Sequence, residues 1–181
     1  MNKGLIVFGA PGSGTSTLGL ALAKEMDFLH IETDDISGTM IDVPPFRIRR
    51  TFEERVELLQ TKIAHCSGFV ISGSMWDWGE VFIPFFNLAV FIITPTYIRI
   101  DRLEERERKR HGERICEGGD MYDNHRDFIE WAKSYDTNNP DRSLKLHEEW
   151  IKTLHCPVLR VDGSISVSEN VELIKRCYYE M

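Results

Sequence analysis

A glycine-rich segment near the N-terminus, residues 9–17, carries the pattern of a phosphate-binding loop. It reads Gly-Ala-Pro-Gly-Ser-Gly-Thr-Ser-Thr and lies between an apolar run at 5–8 and a helix-forming run at 18–24. Glycines let the backbone curl so that successive N–H groups point at an anion, and the following helix adds its positive N-terminus. Ser16 occupies the position of the hydroxyl that binds Mg²⁺, but Thr15 replaces the lysine that normally reaches the β- and γ-phosphates. The segment predicts a nucleoside-triphosphate site whose positive charge comes from elsewhere in the chain.

Three acidic residues follow the second predicted strand: Glu32, Asp34 and Asp35. In an open parallel sheet, ligands lie beyond the carboxyl ends of the strands, so these carboxylates are expected at the same edge as the glycine-rich loop. A carboxylate there can hold Mg²⁺ or accept a proton from an attacking hydroxyl. The alternative is a structural role, because Asp and Thr also favour helix caps and turns.

A stripe of arginines lies later in the chain. Four are spaced by three, four and four residues and share one face of a predicted helix: Arg99, Arg102, Arg106 and Arg110. Arg114 extends the basic character into the glycine-containing stretch 111–119. Guanidinium groups on a mobile lid would stabilise a transferring phosphoryl group once water is excluded. We expect Arg102 and Arg106 to face the site; the alternative is a solvated helix face.

Two further segments offer contacts for a second substrate. Gly73 ends the third predicted strand and would allow a ligand to approach the backbone closely. Trp76 and Trp78, directly after it, form either an aromatic wall for a planar substrate or part of the core. A basic group between the second strand and the next helix either forms a flap that grips an anion or is a solvated turn: Arg47, Arg49 and Arg50.

Composition narrows the function classes. The chain has 181 residues, 42% of them hydrophobic, which suits one domain with a sizeable core. A formal charge of −7 disfavours general nucleic-acid binding, and the absence of a long apolar run or leader pattern predicts a cytoplasmic protein without membrane contact. The four cysteines are too widely spaced to suggest a zinc site or a disulfide framework.

Apolar runs alternate with helical patterns along the whole chain. Strands are predicted at 4–8, 28–32, 68–73, 88–93 and 157–161. Helices are predicted near 15–26, 51–65, 96–110, 122–135, 143–153 and 167–178. The strands are continuously apolar, as expected for strands buried on both faces, so the pattern predicts an α/β fold around a parallel sheet.

These pieces together resemble the nucleoside-monophosphate kinase and shikimate kinase group of P-loop proteins. Residues 9–17 are similar to the G-x-P-G-x-G-K-x-T loop of adenylate kinases apart from Thr15, and Arg102–Arg106 resembles the R-L-x-x-R before the lid. Residues 32–34 resemble the D-T-D of shikimate kinases, while 30–35 also resemble the H-I-S-T-G-D of adenylate kinases. Residues 161–164 look like the late loop that passes the adenine ring.

A more specific resemblance is to a bacterial set of adenylate-kinase-like proteins that also carry threonine at the lysine position. Three segments carry it: Gly12–Thr17, Ser72–Gly79 and Gly118–Tyr122. Archaeal-type cytidylate kinases are similar in having threonine there, so Thr15 does not by itself imply an inactive enzyme. The chain departs from adenylate kinases because Ser72–Trp76 stands where they have the D-G-F-P-R segment that holds the monophosphate.

The resemblance implies a three-layer P-loop fold with a five-stranded parallel sheet and a small lid. Residues 1–181 would form a single domain, with a substrate flap near 36–65 and a lid near 106–122. The implied activity is ATP- and Mg²⁺-dependent phosphoryl transfer to a nucleoside monophosphate or a small hydroxylated metabolite. The alternative is a nucleotide-binding regulator, or a slow NTPase without an acceptor.

Site residues follow from the motifs and the resemblance together. ATP is expected at Gly9, Pro11, Gly12, Ser13, Gly14, Thr15, Ser16, Thr17 and Gly163, and Mg²⁺ at Ser16 and Glu32. The acceptor is expected at Asp35, Arg47, Gly73, Ser74 and Trp76. Asp34 would orient or deprotonate the acceptor, and Arg102, Arg106 and Arg114 would close over the transferring group.

Overall fold

The computed structural model describes residues 3–38, 48–137 and 139–181. Its centre is a five-stranded sheet in the order β2-β3-β1-β4-β5, with every neighbouring pair parallel. The strands are β1 (Lys3–Gly9), β2 (Leu29–Glu32), β3 (Gly68–Ser72), β4 (Phe86–Ile93) and β5 (Val158–Asp162). The predicted five-stranded parallel sheet is confirmed, and each predicted strand overlaps an observed one.

Helices alternate with the strands. They are α1 (Thr15–Met26), α2 (Thr33–Ser37), α3 (Phe52–Ile63), α4 (Thr96–His111), α5 (Tyr122–Lys133), α6 (Leu144–Ile151) and α7 (Val167–Tyr179). Short 3₁₀ segments occupy Glu80–Phe85, Gly112–Ile115 and Ser134–Thr137. Helix α2 was not predicted, because five residues are too few to show a helical period.

The core lies on both faces of the sheet, which produces the three-layer fold. On one face, Phe8 stacks on Phe91 with ring centroids 5.0 Å apart and meets the edge of Trp150 from α6. On the other face, residues of β1, β3 and β4 pack against α1 and α7. Residues in β1 and β3 are buried on both faces, which explains why their sequences are continuously apolar.

Two helix starts are fixed by reciprocal side-chain caps. Thr51 accepts a hydrogen bond from the backbone N–H of Glu54, whose carboxylate accepts one from the backbone N–H of Thr51, so the predicted capping box is present. Ser166 and Glu169 form the same arrangement at the start of α7. Within the described residues, no helix combines the length and apolar character that crossing a membrane requires.

Candidate active site

The glycine-rich loop joins β1 to α1 at the carboxyl edge of the sheet. Gly12 and Gly14 have φ values of 78° and 101°, a backbone conformation that glycine adopts without strain. A Cβ atom on Gly12 would lie 2.9 Å from Leu103 Cγ, so α4 packs directly on the loop. Gly14 caps α1 without a side-chain hydrogen bond, which leaves the first backbone N–H groups of α1 available to an anion.

Ser16 and Glu32 meet beside this loop. Ser16 Oγ donates a 3.0 Å hydrogen bond to Glu32 Oε2 at the end of β2. Burial raises the pKa of Glu32, the Ser16 hydrogen bond opposes that shift, and the charges of Asp34 and Asp35 add to it. His30 Nε2 lies 3.5 Å from Glu32 Oε1, so this carboxylate sits in a polar cluster at the first turn of α1.

The donors at this position fit a magnesium ion that a nucleotide brings with it. Ser16 and Glu32 supply hard oxygen ligands. Among the described residues there is no group of three or more His, Cys, Asp or Glu side chains that would hold a metal by itself. Magnesium in nucleotide sites takes one or two protein ligands and completes its shell with phosphates and water, which matches this sparse donor set.

The side chains of three arginines of the predicted stripe lie over the loop, and that of the fourth does not. Arg102, Arg106 and Arg110 line a cavity over Thr15 and Ser16, here called the loop cavity. Arg102 also donates a 3.0 Å hydrogen bond to the carbonyl of Gly163 in the loop after β5.

Arg99, the first arginine of the stripe, is 1% exposed and pairs with Asp136 at 2.6 Å. It also donates to the carbonyls of Thr94 and Ala132, which fixes α4 against α5. Arg99 is therefore a structural residue, and the prediction that all four arginines share a solvent or ligand face is wrong for it.

Arg114 lies beyond the end of α4. It forms a two-pronged ion pair with Asp120, at 2.9 and 2.7 Å, and both side chains are more than half exposed. The predicted lid near 106–122 thus comprises the last turns of α4, a 3₁₀ segment and the loop before α5. Its movement, and a role for Arg114 in it, stay predictions.

An apolar cavity extends from the loop toward the last helix. Its lining joins residues of the glycine-rich loop, α1, β4, α4, the segment after β5 and α7: Ser13, Gly14, Thr17, Leu18, Ile92, Arg102, Gly163, Ile165, Val167 and Asn170. Asn170 is 3% exposed, and its Nδ2 donates to the carbonyl of Asp162 at 2.8 Å. Its Oδ1 has no hydrogen-bond partner within the part of the chain that the structure describes. Asn170 was not predicted, because a single Asn in a helix carries no sequence signal.

A polar cavity lies beside α2, whose residues Thr33 and Asp34 directly follow Glu32. It is lined by Thr33, Asp34, Ser37, Gly38, Arg49, Arg55, Ser74, Asp77, Trp78 and Arg142. Burial lowers the pKa of Arg142, and the charges of Asp34 and Asp77 act in the opposite direction. Arg142 lines the cavity and forms no ion pair with any residue in the described ranges, and its guanidinium lies 5.7 Å from the centroid of the Trp131 ring.

Gly73 brings the two sides of the polar cavity together. Its φ is 112°, and a Cβ atom there would overlap Thr33 Oγ1, so only glycine lets β3 end this close to α2. Ser74 follows and lines the polar cavity. Trp76 does not line the cavity, and its Nε1 donates to the carbonyl of Asp141 at 3.0 Å. Trp78 lines the cavity but is only 4% exposed and otherwise packs in the core.

The remaining predicted residues fall in three places. Asp35 lies on the side of His30 and Glu32, where its charge acts on both, rather than on the lining of the polar cavity. Arg50 donates to the carbonyls of Asp35 and Ile36, at 2.8 and 3.0 Å, and so closes the end of α2. Arg47 lies outside the described residues.

Sequence reasoning missed much of the polar cavity. Arg55, Asp77 and Arg142 come from α3, the loop after β3 and the residue before the N-cap of α6. Arg55 and Arg142 stand in segments without a glycine motif or a repeated spacing, and Asp77 lies within the Ser72–Gly79 segment but was not singled out there. The available signal was the rule that ligands bind beyond strand ends, and it indicates Asp77 alone among the three.

Known proteins resemble this chain at two levels. A family described as AAA domain matches residues 5–125, and the uncharacterized protein YqaC of Bacillus subtilis (strain 168) is 37% identical over 175 residues, 96% of either chain. A shikimate kinase from Bacteroides thetaiotaomicron superimposes with a TM-score of 0.58 at 16% identity, covering 99% of both chains. A deoxyadenosine kinase from M. mycoides with bound dCTP gives 0.52 at 13%, covering 99% of this chain and 100% of the other. The fold is that of P-loop kinases, and the chain belongs to the AAA domain family.

Proposed function

We propose that this protein transfers the terminal phosphoryl group of ATP to a small acceptor that carries a hydroxyl and an anionic group. The observation that carries the proposal is the junction between β2 and α2. There Glu32 contacts the P-loop through Ser16, and two residues later Asp34 lines the polar cavity. A nucleotide in the loop and an acceptor in the polar cavity would meet at this junction.

The charged side chains around the junction support phosphoryl transfer. Catalysis of this reaction rests on positioning and on neutralising the charge of the transferring group. Asp34 would orient the acceptor hydroxyl and take its proton. Arg102 and Arg106, which line the loop cavity, would supply the positive charge that Thr15 does not. Arg114 would join them if the predicted lid closes.

Magnesium would be held by Ser16 and Glu32, with Asp35 nearby. When bound, the ion would help to neutralise the charge of the terminal phosphate. Glu32 must be ionised for this role. Because burial raises its pKa, a bound cation would restore the charged form.

Adenine is the base that the apolar cavity favours. Its walls are largely aliphatic, and Asn170 Nδ2 is already engaged with Asp162. The remaining Oδ1 is an acceptor without a partner among the described residues, so a base that presents an amino group would satisfy it. Adenine presents such a group, whereas the corresponding carbonyl of guanine would place two acceptors together.

An anionic hydroxylated acceptor is what the polar cavity favours. Arg49, Arg55 and Arg142 all line it, and Arg142 lies within it without an ion pair to another described residue. Guanidinium groups bind carboxylates and phosphates strongly when partly desolvated. Asp34 favours a hydroxyl as the nucleophile, because a nucleoside monophosphate attacks with an oxygen that has no proton to give up.

The experiment is an acceptor-dependent assay of ADP formation with the full chain and Mg²⁺. We expect slow ATP hydrolysis alone and acceleration by one member of a panel of hydroxy acids, sugar acids and nucleoside monophosphates. An Arg142→Leu variant should lose that acceleration, while Arg108→Leu, on the exposed side of α4, should retain it. ATP binding without acceleration by any compound would favour the regulator instead, and absence of nucleotide binding would overturn both.

A further inference from the structure

A buried hydrogen-bond chain leads from the polar cavity into the core. Ser74 Oγ lies 2.8 Å from His147 Nε2, and His147 Nδ1 lies 2.8 Å from the Tyr135 hydroxyl. Their exposed fractions are 6%, 0% and 3%. Ser74 lines the cavity, whereas His147 and Tyr135 stand behind it and have no part in the function proposed above.

The surroundings of His147 favour the neutral imidazole. The edge-on rings of Phe8 and Phe91, with centroids 5.4 and 5.9 Å away, surround it. This burial, together with the charge of Arg142, lowers the pKa of His147 to about 3, against which Glu148 acts only weakly. A neutral imidazole has one N–H donor and one bare nitrogen acceptor, so the chain has two possible directions.

Counting donors decides between the two directions. The Tyr135 hydroxyl has His147 Nδ1 as its hydrogen-bond partner and no other among the described residues. If Nδ1 carried the proton, the hydroxyl hydrogen of Tyr135 would be buried without an acceptor, which is costly. Tyr135 therefore donates to Nδ1, and the Nε2–H group of His147 donates to Ser74 Oγ. The hydrogen of Ser74 must then find an acceptor elsewhere, and the open side of Ser74 is the cavity.

We propose that Ser74 is a specificity-determining residue whose hydroxyl donates a hydrogen bond to an anionic oxygen of the acceptor, with His147 and Tyr135 as the residues that set its direction. The proposal rests on the proposed function, since it takes the polar cavity as the acceptor site. Arg142, which shares the cavity, can bond the same anion because a guanidinium has donors only. A carboxylate or a phosphate matches such a wall, and a cationic group does not.

The first test needs no ligand. Long-range nitrogen–proton NMR of the full chain reports the tautomer of each of the six histidines, and a His147→Gln variant assigns the His147 signals. We expect the neutral Nε2–H form. Tyr135→Phe should shift His147 toward the Nδ1–H form. Tyr178→Phe should not, because this partly buried tyrosine of α7 packs against the core on the other face of the sheet. An Nδ1–H tautomer in the unaltered protein, or no response to Tyr135→Phe, would overturn the assigned direction.

The second test measures the donor itself. With the loop filled by a non-hydrolysable ATP analogue, inorganic phosphate and acetate serve as probes of the polar cavity. We expect Ser74→Ala to weaken binding of the probe by about tenfold, the size of one hydrogen bond to a charged group. Ser74→Thr, which keeps the hydroxyl, and Ser168→Ala, on an exposed surface, should bind like the unaltered protein.

The two tests separate the failures. If neither probe binds the unaltered protein, or if Ser74→Ala binds as well as Ser74→Thr, the role of Ser74 is refuted even when ATP is hydrolysed. If the tautomer and the probes behave as expected but no acceptor accelerates ADP formation, the donor geometry stands and the proposed kinase activity fails.

Discussion

The two ends of the candidate site are built from different groups: one from backbone N–H groups and the other from side chains. At the end where we propose that the nucleotide binds, called the nucleotide end, one continuous segment supplies backbone N–H groups, and its glycines at 12 and 14 set their direction. At the polar cavity, which we propose as the acceptor end, side chains come from α2, α3, the loop after β3 and the residue before the Ser143 N-cap of α6. A backbone site depends on loop geometry and tolerates many side chains, whereas a side-chain site depends on which residues the fold brings together.

Replacing Asp34 by Asn is expected to have the largest effect on turnover. Such a loss would show that a side chain at the acceptor end takes part in the chemical step. Removing a general base lowers turnover by about 10³-fold. The affinity for ATP should change little, because Asp34 lines the polar cavity and not the loop cavity. Steady-state kinetics with ATP and the identified acceptor give both values. Equal losses of turnover and ATP affinity would show that Asp34 also contributes to ATP binding, so that the two ends would not be separate.

Replacing Arg106 by Ala tests whether the nucleotide end also uses side chains. Arg106 lines the loop cavity and lies 6.0 Å above the ring of Phe128. We expect turnover to fall about a hundredfold, with a much smaller loss of ATP binding, because the arginine stabilises charge that develops during transfer. Arg108→Ala, on the exposed side of the same helix, is the matched control. Parallel losses of turnover and binding would assign Arg106 to ground-state binding instead.

His147, behind the polar cavity, makes the free energy of unfolding depend on pH. Its pKa is about 3 in the folded chain, against 6.5 for a free histidine, so below pH 6.5 the unfolded chain binds a proton that the folded chain does not. Its contribution is complete above pH 6.5 and is lost as the pH falls toward 3, by about 1.4 kcal/mol per pH unit.

Urea unfolding at pH 7 and pH 5 measures this slope. His147→Gln should flatten it, and His155→Gln, at an exposed position, should leave it unchanged. A slope that His147→Gln does not alter would show that folding does not lower the pKa of this histidine.

Replacing Thr15 by Lys is expected to have the smallest effect and probes the backbone character of the loop. Arg102, Arg106 and Arg110 already face the loop cavity, so a further cation should leave ATP affinity unchanged or raise it by about tenfold at most. Isothermal titration with ATP and Mg²⁺ measures this. A severe loss of affinity would mean that the loop holds phosphates in a geometry that has no room for lysine.

Much of the fold was predictable, for reasons visible in particular elements. The runs at β1, β3 and β4 are apolar because both faces of those strands are covered, and length and flanking glycines separate them from helices. The capping box of Thr51 and Glu54 marked the start of α3 within one residue. Strand order was not predicted, since each pairing joins segments far apart in sequence.

The candidate site was predictable only where chemistry is local. The P-loop, Glu32, Asp34 and the Arg102–Arg106 pair lie in short motifs, and the structure places all of them at one edge of the sheet. Arg142, Asn170 and His147 carry no such motif, because their roles arise from tertiary neighbours. Arg99 shows the reverse error: its spacing matched the stripe, but its side chain is buried, where it donates to two backbone carbonyls and pairs with Asp136.

The spacing of Glu32 and Asp34 has a consequence for how this protein can change over time. Glu32 is the last residue of β2 and Asp34 is the second residue of α2, so the chain turns from strand to helix between the carboxylate that contacts Ser16 and the one that lines the polar cavity. Inserting or deleting one residue between them would rotate the helical carboxylate away from its cavity. Substitutions around the polar cavity can therefore yield new acceptor preferences, whereas the length of this junction must be inherited unaltered.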